Sequence, residues 1–361
     1  MKKRIVLLGI IMVLFMQTMA SYAASRVENT DRGTVYITDE TKVVPSLTKS
    51  TKNANGTWHE DANGWWFEYS GGGYPQNTWE EINSYWYYFN ESGYMVTGWV
   101  LVNGIWYFCE TSDQAAAPHG SMITGWKQVN NEWYFFETEG TSSRPLGSMI
   151  KGWWTYNGNH YFFRKIQEGT HPAGSMVIGT YHTTVEGSDL VHEFKTSGEL
   201  QYIYANVVRR KQDKSNWCWV ASAEMVGKYA NPSSTLTQSS VVSSMVLDDF
   251  NIPGFISMSN IALRKFGGSA IRTSEPYGKP MDFLQTAENI ISARPLVAVL
   301  KWDLLSGHMV VISGFSIDEN IRIIDPWDNS KTIYAPYAQA LNGYQFETGF
   351  GTYTDCIYFG R

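Results

Sequence analysis

A lone cysteine, Cys218, stands six residues after Gln212 and at the start of a run of good helix formers. A cysteine attacks carbonyl groups as the thiolate, and a helix N-terminus stabilises that anion with partial positive charge and free backbone N–H groups. The residues that follow Cys218 are mostly small or unbranched and include no proline, which predicts a helix that begins at the cysteine. The Gln212 amide can fold back beside the sulfur, so this segment predicts a thiol nucleophile with an oxyanion donor.

A nucleophile needs a base, and His308 is the one histidine that follows Cys218 in the chain. Residues 308–315 predict a buried strand entered from a glycine turn, with the imidazole at its opening. A second strand over 321–324 ends at Asp325, seventeen residues after the histidine (325 − 308). Hairpin pairing of the two strands predicts the carboxylate beside the ring, where it would hold one tautomer.

These residues resemble the motif set of papain-like cysteine peptidases over residues 205–361, in the branch that includes bacterial avirulence-effector proteases and, more distantly, bacteriocin leader peptidases. The interval from glutamine to cysteine and the order of the groups agree, with Asp where papain has Asn. The segment Cys218-Trp219-Val220 departs from the Cys-Gly-Pro of bacteriocin peptidases, which favours the first branch. The resemblance implies an α+β papain-like domain that uses no metal or other cofactor. It also implies roles for four residues: Cys218 as nucleophile, His308 as general base and acid, Asp325 as orienter and Gln212 as oxyanion donor.

Each of these residues also has a structural interpretation. A lone cysteine or histidine is often a core residue, and Asp-Pro is a common start of a turn. Gln212 fits a surface position in a lysine-rich loop equally well. Trp219 and Trp302 are candidate walls of a substrate cleft, or parts of the core.

The elements before residue 200 follow a repeat of 27 residues. Its clearest members are Gly98-Trp99, Gly125-Trp126 and Gly152-Trp153 (125 − 98, 152 − 125). The triplets Trp106-Tyr107-Phe108, Trp133-Tyr134-Phe135 and His160-Tyr161-Phe162 keep the same period. Each unit predicts a β-hairpin with an Asn-Gly or Asn-Asn turn, and fixed-period repetition predicts a stacked β-hairpin solenoid.

The repeats resemble the choline-binding or cell-wall-binding repeats of Gram-positive surface proteins over about residues 56–200. The resemblance implies aromatic cages that hold a quaternary ammonium by cation–π attraction. One cage would use Trp99, Trp106 and Trp126, and the next would use Trp126, Trp133 and Trp153. Two alternatives stay open: the rings are only the hydrophobic core of the array, or they stack on wall carbohydrate.

Three cysteines argue against a disulfide framework. Cys109 and Cys356 either form one bridge or remain buried thiols. The second interpretation is favoured, because Cys109 falls in register with Phe136 and Phe163 of the repeats and Cys356 lies in an apparent strand over 355–359.

The remaining segments and the composition set the frame. Residues 1–24 run from charged to apolar to small, as secretory signal peptides do, and residues 25–55 predict a polar linker. No later apolar run is long enough to span a membrane. A net charge of −6 without a basic patch argues against nucleic acid as a ligand.

Together the modules predict a secreted cysteine endopeptidase that is attached to the Gram-positive cell wall, through teichoic acid choline or wall carbohydrate, and cuts protein or peptide substrates. Two other functions remain open: a peptidoglycan amidase or endopeptidase, and a non-catalytic wall-binding adhesin. Self-processing is a further expectation, with at most one cut in the linker or near residues 195–210.

Overall fold

The computed structural model describes residues 26–30, 32–38, 54–114, 117–141, 143–245, 250–303, 306–327 and 330–360, and the chain divides into two units between Val177 and Ile178. The predicted signal peptide, 1–24, lies outside the described residues. Within the described ranges, no helix is both long and apolar enough to cross a membrane.

The N-terminal unit consists of β-hairpins. Its strands are β1 (Arg26–Thr30), β2 (Gly33–Ile37), β3 (Gly56–Asp61), β4 (Gly64–Tyr69), β5 (Thr78–Ile82), β6 (Tyr85–Phe89), β7 (Gly98–Val102), β8 (Ile105–Cys109), β9 (Gly125–Val129), β10 (Glu132–Phe136), β11 (Gly152–Tyr156) and β12 (Asn159–Phe163). The hairpin β7–β8 turns through Asn103 and Gly104 with φ of 51° and 74°, and β11–β12 turns through Asn157 and Gly158 in the same way. Two positive-φ residues make the turn whose twist matches the flanking strands. The predicted hairpins are therefore confirmed.

Each repeat hairpin contacts another through the same backbone hydrogen bond. The N–H of Met149 donates to the Trp106 carbonyl at 2.8 Å, and the N–H of Met176 donates to the Trp133 carbonyl at 2.8 Å. A Cβ on Gly147 would lie 2.3 Å from the Met122 sulfur, so the loop that leads to each of these methionines packs tightly on the previous one. The 27-residue period in the sequence thus corresponds to a repeated contact between hairpins.

The sequence predicts a linker over 25–55, but Arg26–Thr30 and Gly33–Ile37 pair as the antiparallel strands β1 and β2. Strand β2 pairs in parallel with β7, from Val35 opposite Trp99 to Ile37 opposite Leu101. Val35 and Ile37 are buried, whereas the segment as a whole is polar. Two alternating apolar side chains are enough to fix a strand on a buried face. Residues 39–53 of the predicted linker lie outside the described residues.

The C-terminal unit combines one antiparallel sheet with helices. Its strands are β13 (Gly179–Val185), β14 (Ser188–Phe194), β15 (Leu200–Ala205), β16 (Thr273–Pro276), β17 (Leu296–Lys301), β18 (Gly307–Ser316), β19 (Asn320–Ile324), β20 (Ile333–Pro336), β21 (Tyr344–Phe346) and β22 (Gly349–Gly360). Its described helices are α1 (Cys218–Ala230), α2 (Gln238–Met245), α3 (Ile256–Gly267), α4 (Phe283–Ile291) and α5 (Tyr337–Asn342), with a 3₁₀ turn at Gly268–Ala270. The main strand order is β13-β14-β15-β18-β17-β22-β16, and β19 also pairs with β18 and β20.

The boundary between the units differs from the predicted one. The sequence predicts that the array continues to residue 200, because Gly179 keeps the 27-residue spacing. In the structure β13, β14 and β15 belong to the C-terminal sheet, where Tyr202 pairs with Ser316 and Tyr204 with Gly314. Pairing with a distant strand decides the membership of this segment, and spacing along the chain does not reveal it.

Helix α1 lies in the core of the C-terminal unit. Eleven of its thirteen residues are buried, so it is covered on nearly all sides. Its small residues permit this: a Cβ on Gly227 would lie 2.4 Å from Cβ of Phe266 in α3. The Ser222 hydroxyl donates to the Met309 carbonyl at 2.9 Å and joins the helix to β18. The predicted helix at Cys218 is confirmed, and it is held against the strand that carries His308.

Candidate active site

Cys218 is the first residue of α1 and is held there by its two neighbours. Trp217 and Trp219 are fully buried, and their indole N–H groups donate to the carbonyls of Phe250 at 3.0 Å and Ile252 at 3.3 Å. Cys218 between them is only half-buried. Trp219 is therefore a core residue, and its proposed place in the wall of the substrate cleft is wrong.

The N-terminus of α1 leaves donors available beside the sulfur. The N-cap residue, Trp217, makes no side-chain capping hydrogen bond within the described part of the chain. The first N–H groups of an α-helix have no acceptor within the helix. Their partial positive charge therefore points toward the end of the helix at which Cys218 lies.

His308 is the second residue of β18 and is 2% exposed. It pairs with Leu300 across the β17–β18 hairpin. The indole of Trp302 stacks on its ring with centroids 5.6 Å apart and planes 19° apart, and Trp327 meets it edge-on at 6.0 Å. Of the two tryptophans proposed as cleft walls, Trp302 is thus the one placed at the site.

Asp325 follows β19 and meets His308 because β19 pairs with β18, with Val311 opposite Ile324. Its Oδ1 lies 2.7 Å from His308 Nε2. An ionised carboxylate only accepts hydrogen bonds, so Nε2 is the donor of this bond and Nδ1 is the ring nitrogen left for another partner. Oδ1 also accepts the backbone N–H of Trp327 at 2.7 Å, and Oδ2 accepts the Thr348 hydroxyl at 3.0 Å.

The protonation of this pair follows from burial and from its partners. Burial alone would lower the pKa of His308, but hydrogen bonds to Asp325 and Cys218 and the charges of both groups raise it to about 9. Burial alone would raise the pKa of Asp325, but the hydrogen bond and charge of His308, with the Trp327 and Thr348 donors, hold that pKa below its usual value. An imidazolium and a carboxylate are therefore the favoured forms at neutral pH.

Gln212 lies beside the residues that follow Asp325, and its side-chain amide is already hydrogen-bonded. Its backbone N–H donates to the Pro326 carbonyl at 2.9 Å, next to Asp325. Its side-chain Nε2 donates to the carbonyls of Lys214 at 3.0 Å and Ser215 at 2.7 Å. Its Oε1 is buried and has no hydrogen-bond partner among the described residues. The structure thus places Gln212 in the loop before the nucleophile, with both amide hydrogens directed at that loop.

Three further residues support the Gln212 loop, and the sequence did not single them out. Arg209 donates through Nε to the Asp325 carbonyl at 2.8 Å. Gln238 binds the backbone on both sides of Gln212, since it accepts from the Asp213 N–H at 3.0 Å and donates to the Lys211 carbonyl at 2.8 Å. Buried Glu224 in turn accepts from Gln238 at 2.9 Å. Glu224, the one acidic residue of this largely buried helix, is the sequence signal for this network.

The five predicted ligand-binding tryptophans lie in the hairpins of the N-terminal unit. Trp99 contacts Trp106 at 5.9 Å and Tyr134 at 4.9 Å, both edge-on. We call Trp99, Trp106 and Tyr134 the first cage. The third ring is the tyrosine of the following triplet, whereas the sequence predicts Trp126. The reason is that the ring of the next hairpin that faces this cage comes from its second strand.

The second cage repeats the arrangement one period later. Trp126 contacts Trp133 at 6.3 Å and Tyr161 at 5.0 Å. Tyr161 takes the place for which Trp153 is predicted, and Trp153 instead contacts Phe162 at 5.1 Å. We call Trp126, Trp133 and Tyr161 the second cage.

Cys109 and Cys356 are both buried and free, which confirms the prediction of buried thiols. Burial raises the pKa of Cys109 to about 12 and that of Cys356 to about 11. Both are therefore protonated and unreactive at neutral pH, unlike a thiol that serves as a nucleophile. Among the residues that the structure describes, no three His, Cys, Asp or Glu side chains form a group that could hold a metal ion.

Comparison with protein families agrees with the two units. Residues 204–349 match the Peptidase_C39 like family. Residues 77–117 match the choline-binding repeat family, and residues 124–141 match the putative cell wall binding repeat family. The chain thus carries a Peptidase_C39-like domain preceded by choline-binding and cell-wall-binding repeats. Comparison with curated proteins gives no match.

Several solved structures are similar to part of this chain. Choline binding protein F from Streptococcus pneumoniae is 31% identical over 41% of this chain and 42% of its own, with a TM-score of 0.31. The pneumococcal cell wall endolysin from phage Cp-1, complexed with choline, is 30% identical over 44% of this chain and 40% of its own, with a TM-score of 0.27. The chain therefore spans well under half the length of these two proteins.

Proposed function

We propose that this chain is a secreted cysteine endopeptidase attached to the cell wall of a Gram-positive bacterium, with a papain-like C-terminal domain and a solenoid of wall-binding repeats. The observation that carries the proposal is the row of half-buried Cys218 and buried His308 and Asp325, in which the imidazole hydrogen-bonds to both neighbours. The match of residues 204–349 to a peptidase-like family supports the reaction class. The finer assignment to the avirulence-effector type remains a prediction.

The reaction begins with the thiolate of Cys218, which the imidazolium of His308 stabilises. The sulfur attacks the carbonyl carbon of a peptide bond, and the carbonyl oxygen becomes an oxyanion. His308 then gives its proton to the leaving amine as the C–N bond breaks, which leaves a thioester acyl-enzyme. A water molecule, deprotonated by His308, attacks the thioester and restores the thiolate and the imidazolium. Asp325 keeps the ring oriented through both steps.

The oxyanion would bind the backbone N–H of Cys218 and the amide of Gln212. The N-terminus of α1 supplies the first donor. The second requires Gln212 Nε2 to exchange its bond with Lys214 or Ser215 for one with the oxyanion. A donor that is used only in the transition state lowers the barrier more than one that binds the substrate equally well.

The repeats would hold the enzyme on the wall through a quaternary ammonium such as teichoic acid choline, or through wall carbohydrate. The aromatic cages, with rings 4.9–6.3 Å apart at steep angles, support a small cationic ligand. The family matches at 77–117 and 124–141 support the same role. Secretion rests on the signal-type sequence of residues 1–24.

Covalent labelling tests the nucleophile directly. The mature protein is treated at neutral pH with an epoxide inhibitor of papain-type enzymes, and the adduct is located by intact mass and peptide mapping. We expect one adduct, on Cys218, whose rate falls in His308→Ala. Buried Cys109 and Cys356 act as internal controls. Equal labelling of all three thiols would remove the proposal of an activated cysteine.

Substrate assays then separate the alternatives. Hydrolysis of a peptide library that is lost in Cys218→Ala supports the endopeptidase. Clearing of a cell-wall suspension by the wild type but not by Cys218→Ala would assign the chemistry to peptidoglycan instead. Wall binding without labelling or hydrolysis would leave an adhesin.

A further inference from the structure

A positive charge of the chain itself lies in the first cage. The guanidinium carbon of Arg32 is 4.5 Å from the ring centroid of Trp99, 4.8 Å from that of Trp106 and 5.7 Å from that of Tyr134. These are the three rings of the cage. Cations bind aromatic faces within about 6 Å of the centroid, so all three contacts are within attractive range.

The hairpin β1–β2 delivers this side chain. Arg32 stands in the turn between the two strands, and β2 continues into parallel pairing with β7, where Val35 lies opposite Trp99. The arginine is 7% exposed. Its Nη1 donates to the Met149 sulfur at 3.7 Å, and its Nη2 donates to the carbonyl of Ala173. The guanidinium is therefore built into the cage rather than resting on its surface.

The second cage has the same ring types but a different exposure. Trp133 is 42% exposed, whereas its equivalent Trp106 is half-buried. Trp126 is half-buried, whereas its equivalent Trp99 is 2% exposed. The face of Trp133 is thus accessible to a ligand from solvent. The two cages therefore differ because the hairpin β1–β2 places Arg32 against the rings of the first cage.

We propose that Arg32 is the resident cation of the first cage and excludes an external quaternary ammonium from it. The inference rests on the proposed role of the cages as ammonium sites. A trimethylammonium group and a guanidinium both need the faces of Trp99 and Trp106, and two cations cannot share one desolvated cage because like charges repel. The hairpin β1–β2 then acts as an internal plug, and the first cage binds ligand only when Arg32 leaves it.

Calorimetric titration of the full chain with choline chloride tests the plug. The wild type is compared with Arg32→Ala and with Arg32→Gln, which keeps much of the length without the charge. We expect about one additional choline site per chain in both variants. Arg322→Ala is the control, because Arg322 lies 4.2 Å over Tyr204 in the C-terminal unit, and it should bind as the wild type does. Circular dichroism checks that each variant is folded.

The outcomes separate this inference from the proposed function. Wild-type binding that is lost in Trp133→Ala, with no added site in either Arg32 variant, would overturn the plug alone. Binding by the Arg32 variants but not by the wild type would support the plug and count against choline binding by the native protein. An absence of binding in every variant would overturn both.

Discussion

The two units of the molecule each bury a cation against tryptophan, and they hold it differently. In the C-terminal unit, His308 stacks on Trp302 at 5.6 Å and donates a hydrogen bond to Asp325 at 2.7 Å. In the N-terminal unit, Arg32 contacts the faces of Trp99 and Trp106 at 4.5 and 4.8 Å and donates to a thioether and a carbonyl.

The two cations differ in how directional their main interaction is. A charge-assisted hydrogen bond to a carboxylate is short and fixes one nitrogen on one oxygen. An aromatic face attracts any cation of suitable size, by about 0.5–2 kcal/mol per contact. The first arrangement positions a group for chemistry, and the second holds a charge that another cation can replace. The predictions below break or sharpen this contrast.

The largest effect is expected where the carboxylate is removed. Asp325→Ala removes both the charge and the acceptor that orient His308 through Nε2. We expect kcat to fall on the order of 10³-fold or more, as for a triad that loses its orienting acid. Peptide hydrolysis by the purified variant measures this loss. Thr348→Val, which removes only one donor to Asp325, should cost about tenfold or less, and an equal loss in both would show that the charge itself is not decisive.

Removing the charge of Asp325 also changes how activity and stability depend on pH. Because the pKa of His308 is raised to about 9, we expect wild-type activity to fall as the pH rises through that value. The raised pKa stabilises the fold fully below about 6.5, and this contribution is lost as the pH rises through about 9. Asp325→Asn should move the alkaline limb to lower pH and flatten the dependence of unfolding on pH. An unmoved alkaline limb would assign it to another group.

The next effect concerns Gln212, whose amide hydrogens are bound within its own loop. If one of these amide hydrogens changes its hydrogen-bond partner from the loop carbonyl to the oxyanion, Gln212→Ala lowers kcat by about 10²-fold with little change in KM. The matched control is Gln238→Ala, which releases the backbone on either side of Gln212 but leaves the amide in place. A larger kcat loss in Gln238→Ala than in Gln212→Ala would mean that the loop, and not the amide, is what catalysis needs.

The elements that carry Cys218, His308 and Asp325, the proposed catalytic residues, are predictable from the sequence because their signals are local. A run of residues that favour helix begins at Cys218. Two apolar strands separated by a short turn bring His308 and Asp325 together. Trp302 is a candidate from the sequence, but its stacking on His308 is not predictable. Thr348, which donates to the Asp325 side chain, and Arg209, which donates to the Asp325 carbonyl, come from loops whose places depend on how distant strands pair.

The repeat array shows the same limit. Its period predicts the hairpins and their turns, since those depend on neighbouring residues. The contacts of Trp99 with Tyr134 and of Trp126 with Tyr161 are not predictable from the period, because spacing does not reveal which strand of the next hairpin faces inward. Arg32 lies in a segment of polar composition, and only the pairing of β2 with β7 places it among the aromatic rings.

A smaller effect distinguishes the two cages. Trp106 and Trp133 hold equivalent positions in the repeat, but Trp106 also carries the guanidinium of Arg32. We expect Trp106→Ala to destabilise its hairpin by about 1–2 kcal/mol more than Trp133→Ala destabilises its own. Amide hydrogen exchange of β7–β8 and β9–β10 measures each hairpin separately. In an Arg32→Ala background the difference should shrink, and a difference that persists would mean that Arg32 adds no stability.

The smallest effect tests whether the core positions the catalytic strand. Ser222 and Ser259 are both fully buried, and each donates to one carbonyl, that of Met309 at 2.9 Å and that of Trp219 at 2.8 Å. Replacing either by Ala removes one buried hydrogen bond and should cost about 0.5–1.5 kcal/mol of stability. Only the Ser222 bond reaches the residue after His308, so Ser222→Ala alone should lower kcat, by roughly threefold to tenfold. Equal kcat in the two variants at equal stability would show that the hydrogen bonds of His308 fix its position without help from α1.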